Sequence, residues 1–168
     1  MIDNMKLVFD FININHPLGK GISLEEIPEL TSKLSTRLMI SPSLLDYSPI
    51  SLNKLDMLVE KYYQEHLLND NEIEAMSFIR ELTAYFGNVL YRNTNCLWKN
   101  EGDLWGTEIK YESYYKVIKE GKTQNNKGLI VIIASITTAA LDRMALGKSS
   151  DLNKTYKNIA SRKLKEEL

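Results

Sequence analysis

Between Tyr85 and Cys96 the chain reads YFGNVLYRNTNC, the densest grouping of residue types able to bind or catalyse. Arg92 carries a planar guanidinium that can hold an anion as a charge-assisted fork. Asn93 and Asn95 offer donors and acceptors together, Tyr85 a hydroxyl and Cys96 a thiol. A pocket built from Tyr85, Arg92, Asn93, Asn95 and Cys96 would sit where a helix gives way to a hairpin and would take a small anionic ligand or substrate. For Cys96 to act as a nucleophile it needs a base within hydrogen-bond reach. The only histidines, His16 and His66, are distant in sequence, so folding alone could supply one. A lone cysteine in a strand beside Trp98 is more often a small buried hydrophobe, and that reading is preferred.

Other chemistries have less to start from. His16 and His66 stand fifty residues apart, there is no second cysteine, and no Cys-x-x-Cys or His-x-x-x-His spacing occurs, so no metal and no cofactor is expected. Nucleotide-binding glycine loops and the Gly-x-Ser-x-Gly elbow are also missing from the sequence. The acid pairs Glu25/Glu26, Glu72/Glu74 and Glu166/Glu167 fall where helix starts or solvated faces would place them, ahead of any catalytic dyad.

A different use of the same region is contact with another protein. Trp98, Trp105, Tyr111, Tyr114 and Tyr115 are candidate anchors, because an aromatic ring with a wet polar end is favoured at interfaces. Lysines 110, 116, 119, 122 and 127 surround the tyrosines as a rim. The tail from Lys148 to Leu168 carries a net of three positive charges, yet Tyr156 is its one aromatic stacking platform. Nucleic-acid binding through that tail is therefore a third option behind the other two.

Composition bounds these readings. The chain has 168 residues, 43% of them hydrophobic and 26% charged, with a net charge of -1. Such a length is expected to form one globular domain, burying roughly 70% of the surface its unfolded form exposes. No global field draws it toward nucleic acid or anionic lipid. The longest apolar run, LIVIIASITTAAL at 129–141, is short of the ~18–20 residues that span a bilayer. The opening MIDNMKLVFD lacks a basic leader, and one cysteine permits no internal disulfide, so a cytoplasmic location is expected.

The elements that must position these residues follow from patterning. KLVFDFININ alternates in part and suggests a short strand. Ser23 and Glu26 have capping-box spacing ahead of a helix at about 24–38. Ser48 and Pro49 open a second helix at about 49–68, and Asn69-Asp70 a third at about 70–91 with an apolar stripe including Ile73, Met76, Ile79, Phe86 and Leu90. Ala75, Ala84 and Gly87 are small enough for another backbone to come close. A hairpin is expected at about 96–111, with Trp105, Thr107, Ile109 and Tyr111 on one face, then a short helix and polar loop. An apolar helix at about 128–146 ended by Gly147 and an amphipathic tail helix at 148–168, either docked or frayed, complete the chain. The expected class is α+β, with four or five helices packed on a short antiparallel sheet.

Two segments, LLDYSPISLNKLD at 44–56 and YFGNVLYRNTNCLWK at 85–99, resemble in order and spacing an uncharacterised group of small bacterial domains. In that group a Leu-Asp-Tyr/Phe-Ser-x-x-Ser-Leu helix start precedes a helix ending in Tyr-x-Gly-x-Val and then a strand bearing Trp. The likeness covers about 44–111. It implies no catalytic residues, and some members look like immunity or accessory proteins encoded near toxins. Asn88 stands where the group more often has an acid. Together with the missing catalytic motifs, the resemblance makes a non-enzymatic, cytoplasmic protein-binding domain the leading expectation.

Overall fold

The segment AMSFIRELTAYFGNVL is apolar around its whole circumference apart from Ser77, Arg80, Glu81, Thr83 and Asn88, and such a helix has to lie at the centre of a fold. It does so. The computed structural model describes residues 2–66, 71–117 and 123–164, with the side chains of 113–117, 123–127 and 162–164 outside the description. Six α-helices pack with a three-stranded antiparallel sheet among the described residues: α1 (Asn4–Asn13), α2 (Ile27–Arg37), α3 (Ser51–His66), α4 (Glu72–Asn93), β1 (Leu97–Asn100), β2 (Thr107–Val117), β3 (Thr123–Ile132), α5 (Ile133–Ala145) and α6 (Leu152–Leu164). The class is α+β as expected, with one helix beyond the upper count. No helix among the described residues is long and apolar enough to cross a membrane.

Helix α4 starts at Asn71, whose side chain accepts from the Glu74 N–H at 3.1 Å, with Glu72 and Glu74 favourable in its first turn. The expected stop and cap at Asn69-Asp70 lies outside the described residues. From Ala75 to Leu90 every residue except Ser77 is buried, while Ile73, assigned to the stripe, is exposed. Helices α1, α2, α5 and α6 and strand β2 all pack on α4. At Gly87 the close approach is made by side chains and not by a backbone. A Cβ there would lie 2.6 Å from Ile133 Cδ1 and 2.9 Å from Trp98 Cζ3.

Strand order is β1-β2-β3, with Trp98 opposite Ile109 and Ile109 opposite Val131 along the inner face. Thr107, Ile109 and Tyr111 are buried as one face, as the period of two requires. The expected helix and polar loop after Tyr111 are instead the continuation of β2 to Val117 and the start of β3 at Thr123. The apolar helix expected from 128 begins at Ile133. Leu129 to Ile132 are consecutive large apolar residues, three of them branched at Cβ on a sheet already half formed, and they close the ladder on β2 before the chain turns helical.

KLVFDFININ is helical, not extended. The Asp3 side chain caps it by accepting from the Lys6 N–H at 3.1 Å, Lys6 and Asp10 pair at i,i+4, and Leu7, Val8 and Phe11 face the core. Those positions satisfy a helical period, and the β-branched residues beside them produced the alternating look. Helix α5 ends at Gly147 in a Schellman motif: Gly147 N–H donates to Met144 O and Lys148 N–H to Arg143 O. In α6, Leu152, Tyr156 and Ala160 are buried against the body. Its first turn is capped by another helix, since Asp56 of α3 accepts from the Ser150 hydroxyl and from the Leu152 and Asn153 N–H groups at 2.8 and 3.1 Å.

Candidate functional site

A charged pair inside an otherwise apolar helix must find partners or the helix cannot be buried. Arg80 and Glu81 find theirs on opposite sides of α4. Arg80 donates to the Lys20 and Gly21 carbonyls and, at 3.2 Å, to Glu26 Oε1, fixing the segment that leads into α2. Glu26 also accepts from the Ser23 N–H at 2.8 Å, the half of the expected capping box that reaches back. Burial lowers the Arg80 pKa, opposed by Glu26.

Glu81 faces α2 and is 3% exposed. It holds Arg37, the last residue of α2, as a fork: Nε to Oε2 at 2.5 Å and Nη2 to Oε1 at 3.1 Å. Arg37 Nη1 donates to the Tyr62 hydroxyl at 2.7 Å, and that hydroxyl donates to Glu74 Oε1 at 2.8 Å. Burial opposes the charge on Arg37, and the Glu81 bond outweighs it, so the guanidinium pKa is raised. The Tyr62 phenol is pushed up to about 12, by burial first and then by Glu74, against the pull of Arg37. It is a proton donor throughout the physiological range. His66 stacks on the Tyr62 ring at 4.7 Å.

This network forms one wall of a groove between α2, α4 and the end of α3. A cavity of about 640 Å³ is lined by Leu30, Lys33, Thr36 and Ser77 among others, and a second of about 310 Å³ by Leu38, Ile40, Leu58 and Lys61 among others. Both touch Arg37, Met39, Tyr62 and His66. Met39 is the most exposed of the four. Helix α2 ends there in a Schellman motif, with Met39 N–H bonded to Thr36 O and Ile40 N–H to Ser35 O. The αL position of that motif, usually glycine, is Met39 at φ 57°, and its side chain is 87% exposed.

The residues expected to form a pocket at the helix-hairpin junction are placed otherwise. Tyr85 is fully buried, its hydroxyl 2.6 Å from Ser51 Oγ and accepting from the Tyr47 N–H at 3.1 Å. Arg92 is exposed, with Cζ over the Tyr47 ring at 4.2 Å from its centroid, rather than pointing inward. Asn93 donates to the Tyr47 and Val89 carbonyls at 2.8 and 2.7 Å, while Asn95 is exposed. These contacts hold Tyr47 at φ 64°, a conformation rare for an aromatic residue. Cys96 is half-buried, with Sγ 3.5 Å from Thr94 O. His16 accepts from the Leu18 N–H and lies tilted against the Phe11 ring, and His66 stacks on Tyr62, so both histidines are engaged elsewhere. Neither of the two cavities is lined by Arg92, Asn93, Asn95 or Cys96.

The aromatic anchors divide. Trp98 is half-buried and donates through Nε1 to Ile22 O at 2.9 Å, and Tyr111 is buried with its hydroxyl 2.7 Å from Thr94 Oγ1. Trp105 is half-buried against Phe9, ring centroids 4.9 Å apart. The side chains of Tyr114 and Tyr115 lie outside the described residues. Among the described residues no group of three His, Cys, Asp or Glu is placed to hold a metal.

Arg37, Glu81 and Met39 were not singled out by sequence pattern. The available signal was the Arg80-Glu81 pair within a helix apolar on every side, which demands buried partners of opposite charge without saying where they are. Compared with known proteins, the chain matches no family model, no curated protein and no solved structure.

Proposed function

We propose that the chain is a non-enzymatic protein-binding domain that receives a segment of a partner chain in the two-lobed groove of α2, α3 and α4. The observation that carries this reading is Met39, 87% exposed and lining both cavities. A thioether on a flexible stem adapts to irregular partner surfaces. Leu30 in one lobe and Leu38 and Leu58 in the other supply apolar contact, and Lys33, Lys61, Glu65 and Glu74 form a rim of both signs. The polar wall has little left for chemistry, because Arg37 is committed to Glu81 and Tyr62 and the phenol stays protonated. A small-ligand site at Arg92 receives no support from the way that side chain stacks on Tyr47.

A cytoplasmic location and an immunity or accessory role belong to the same proposal and rest on the resemblance at 44–56 and 85–99. The test is affinity purification from the source cell with the wild-type chain and with Met39→Asp and Trp105→Ala. Asp tolerates the αL backbone better than Met, so the first variant keeps the fold. The expected result is one stoichiometric protein, lost with Met39→Asp and kept with Trp105→Ala. Recovery of the chain alone with a tightly held small molecule would overturn the reading.

A further inference from the structure

Helix α3 sorts its charges. Its acids Asp56 and Glu60, one turn apart, are turned to α6: Asp56 accepts from the Leu152 and Asn153 N–H groups, and Glu60 from the Ser149 hydroxyl and the Ser150 N–H at 2.9 and 3.0 Å. Leu52, Leu55, Val59, Tyr62 and Tyr63 are its core face. What is left for solvent is a stripe of Ile50, just before the helix, then Lys54, Met57 and Lys61, all exposed and recurring every three or four residues.

A solvated helix face is normally polar and laced with pairs at i,i+4. This one departs from that in two ways. Ile50 and Met57 are 78% and 70% exposed, and with Met39 they are the most exposed large apolar side chains among the described residues. Lys54 and Lys61, in turn, form no ion pair among the described residues. Lys54 has Ile50 and Leu58 four residues to either side, so its own helix offers it no acid. Lys61 has Glu65 at i+4, the weaker order for such a pair, and the Glu65 carboxylate stands 3.9 Å from His66 instead. The stripe runs into the groove, because Leu58 and Lys61 line its smaller lobe together with Met39.

We infer that the partner segment is acidic and amphipathic, and that it leaves the groove along the outer face of α3 with its apolar residues on Met57 and Ile50 and its carboxylates at Lys61 and Lys54. The inference rests on the groove being a protein-binding site and adds the chemistry of the occupant and its path. Charge complementarity selects that occupant. Two cations without partners stand among exposed apolar side chains, so a segment with carboxylates at the same spacing pairs both and covers Ile50 and Met57 at once, whereas a basic segment is repelled. A flat anionic bilayer fits less well. Beside Leu58 and Lys61 the surface sinks into the cavity of about 310 Å³, and two lysines are fewer than the roughly four to eight that mark anionic-lipid recognition.

The experiment pans a display library of random peptides against the immobilised full chain and measures the enriched peptides in solution by fluorescence anisotropy. The expected family alternates Asp or Glu with large apolar residues, and its affinity falls as salt is raised. The double variant Lys54→Glu, Lys61→Glu is expected to weaken binding by about tenfold or more with an unchanged circular dichroism spectrum, and lysine in place of the peptide acids to restore binding to it. Met39→Asp separates this inference from the groove itself. Peptides that need the two lysines and Met57 but not Met39 support the acidic occupant on α3 and remove the groove. Peptides that need Met39 and are indifferent to both lysines keep the groove and overturn the acidic occupant. A library that yields no acidic family, or lysine-dependent binding to phosphatidylserine vesicles in place of a peptide, also overturns it.

Discussion

The Arg37 guanidinium and the Glu81 carboxylate meet as a two-bonded fork across the interface of α2 and α4, at 2.5 and 3.1 Å, with Glu81 almost wholly out of solvent. Removing one partner strands the other charge. Glu81→Ala is expected to cost about 3–5 kcal/mol, whereas the double change Arg37→Met, Glu81→Leu is expected to lie near wild type or above it. Urea midpoints of the two variants decide this. A double variant as unstable as the single one would show that the network does more for the fold than neutralise itself.

Asp56 reaches from α3 to cap the first turn of α6, a job done within most helices by their own N-cap residue. Asp56→Ala is expected to destabilise the protein by about 1–2 kcal/mol and to release the amides of α6 ahead of those of α4 in hydrogen exchange. Equal protection of both helices would mean that Leu152, Tyr156 and Ala160 dock α6 without the cap.

Glu26 gives the fold a dependence on acid. Burial raises its pKa, but hydrogen bonds from Ser23 and the charge of Arg80 prevail and lower it. The unfolded chain therefore takes up this proton first as pH falls. The stabilisation is complete above the unfolded value of about 4.3 and is lost as pH drops through the lower folded value. Glu26→Gln is expected to be less stable than wild type at pH 7, and the two stability curves to converge as pH falls below the unfolded value of about 4.3. Parallel curves over that range would remove Glu26 from the acid response.

Met39 occupies a left-handed position that costs a non-glycine residue about 1–2 kcal/mol. Glycine recovers this and gives back about 0.4–1 kcal/mol through its freer unfolded chain. Met39→Gly is therefore expected to raise stability by about 0.5–1 kcal/mol in chemical denaturation. A loss of stability would mean that the exposed thioether already packs within the monomer.

Where the sequence was legible, the physics was local. Glu26 and Ser23, and Gly147 with the carbonyls of α5, act within a few residues, so their spacing carried the information. Two elements misled for a stated reason. KLVFDFININ satisfies two periods at once, and only packing of Leu7, Val8 and Phe11 on the body selects the helix. Leu129 to Ile132 continue the apolar character of α5 without a break, and only the neighbouring β2 makes them a strand. The groove was invisible for a further reason. Arg37, Tyr62 and Glu81 are brought together by the packing of three helices, and a charge read one helix at a time has no partner.

The central claim is that a partner chain lies across Met39. Replacing Met39, Lys61 and, as a control, Asn153 one at a time by a photo-cross-linking phenylalanine in the source cell tests it directly. The account predicts one shared protein cross-linked from positions 39 and 61 and none from 153. Cross-linking from 153 with nothing above background at 39 would contradict it.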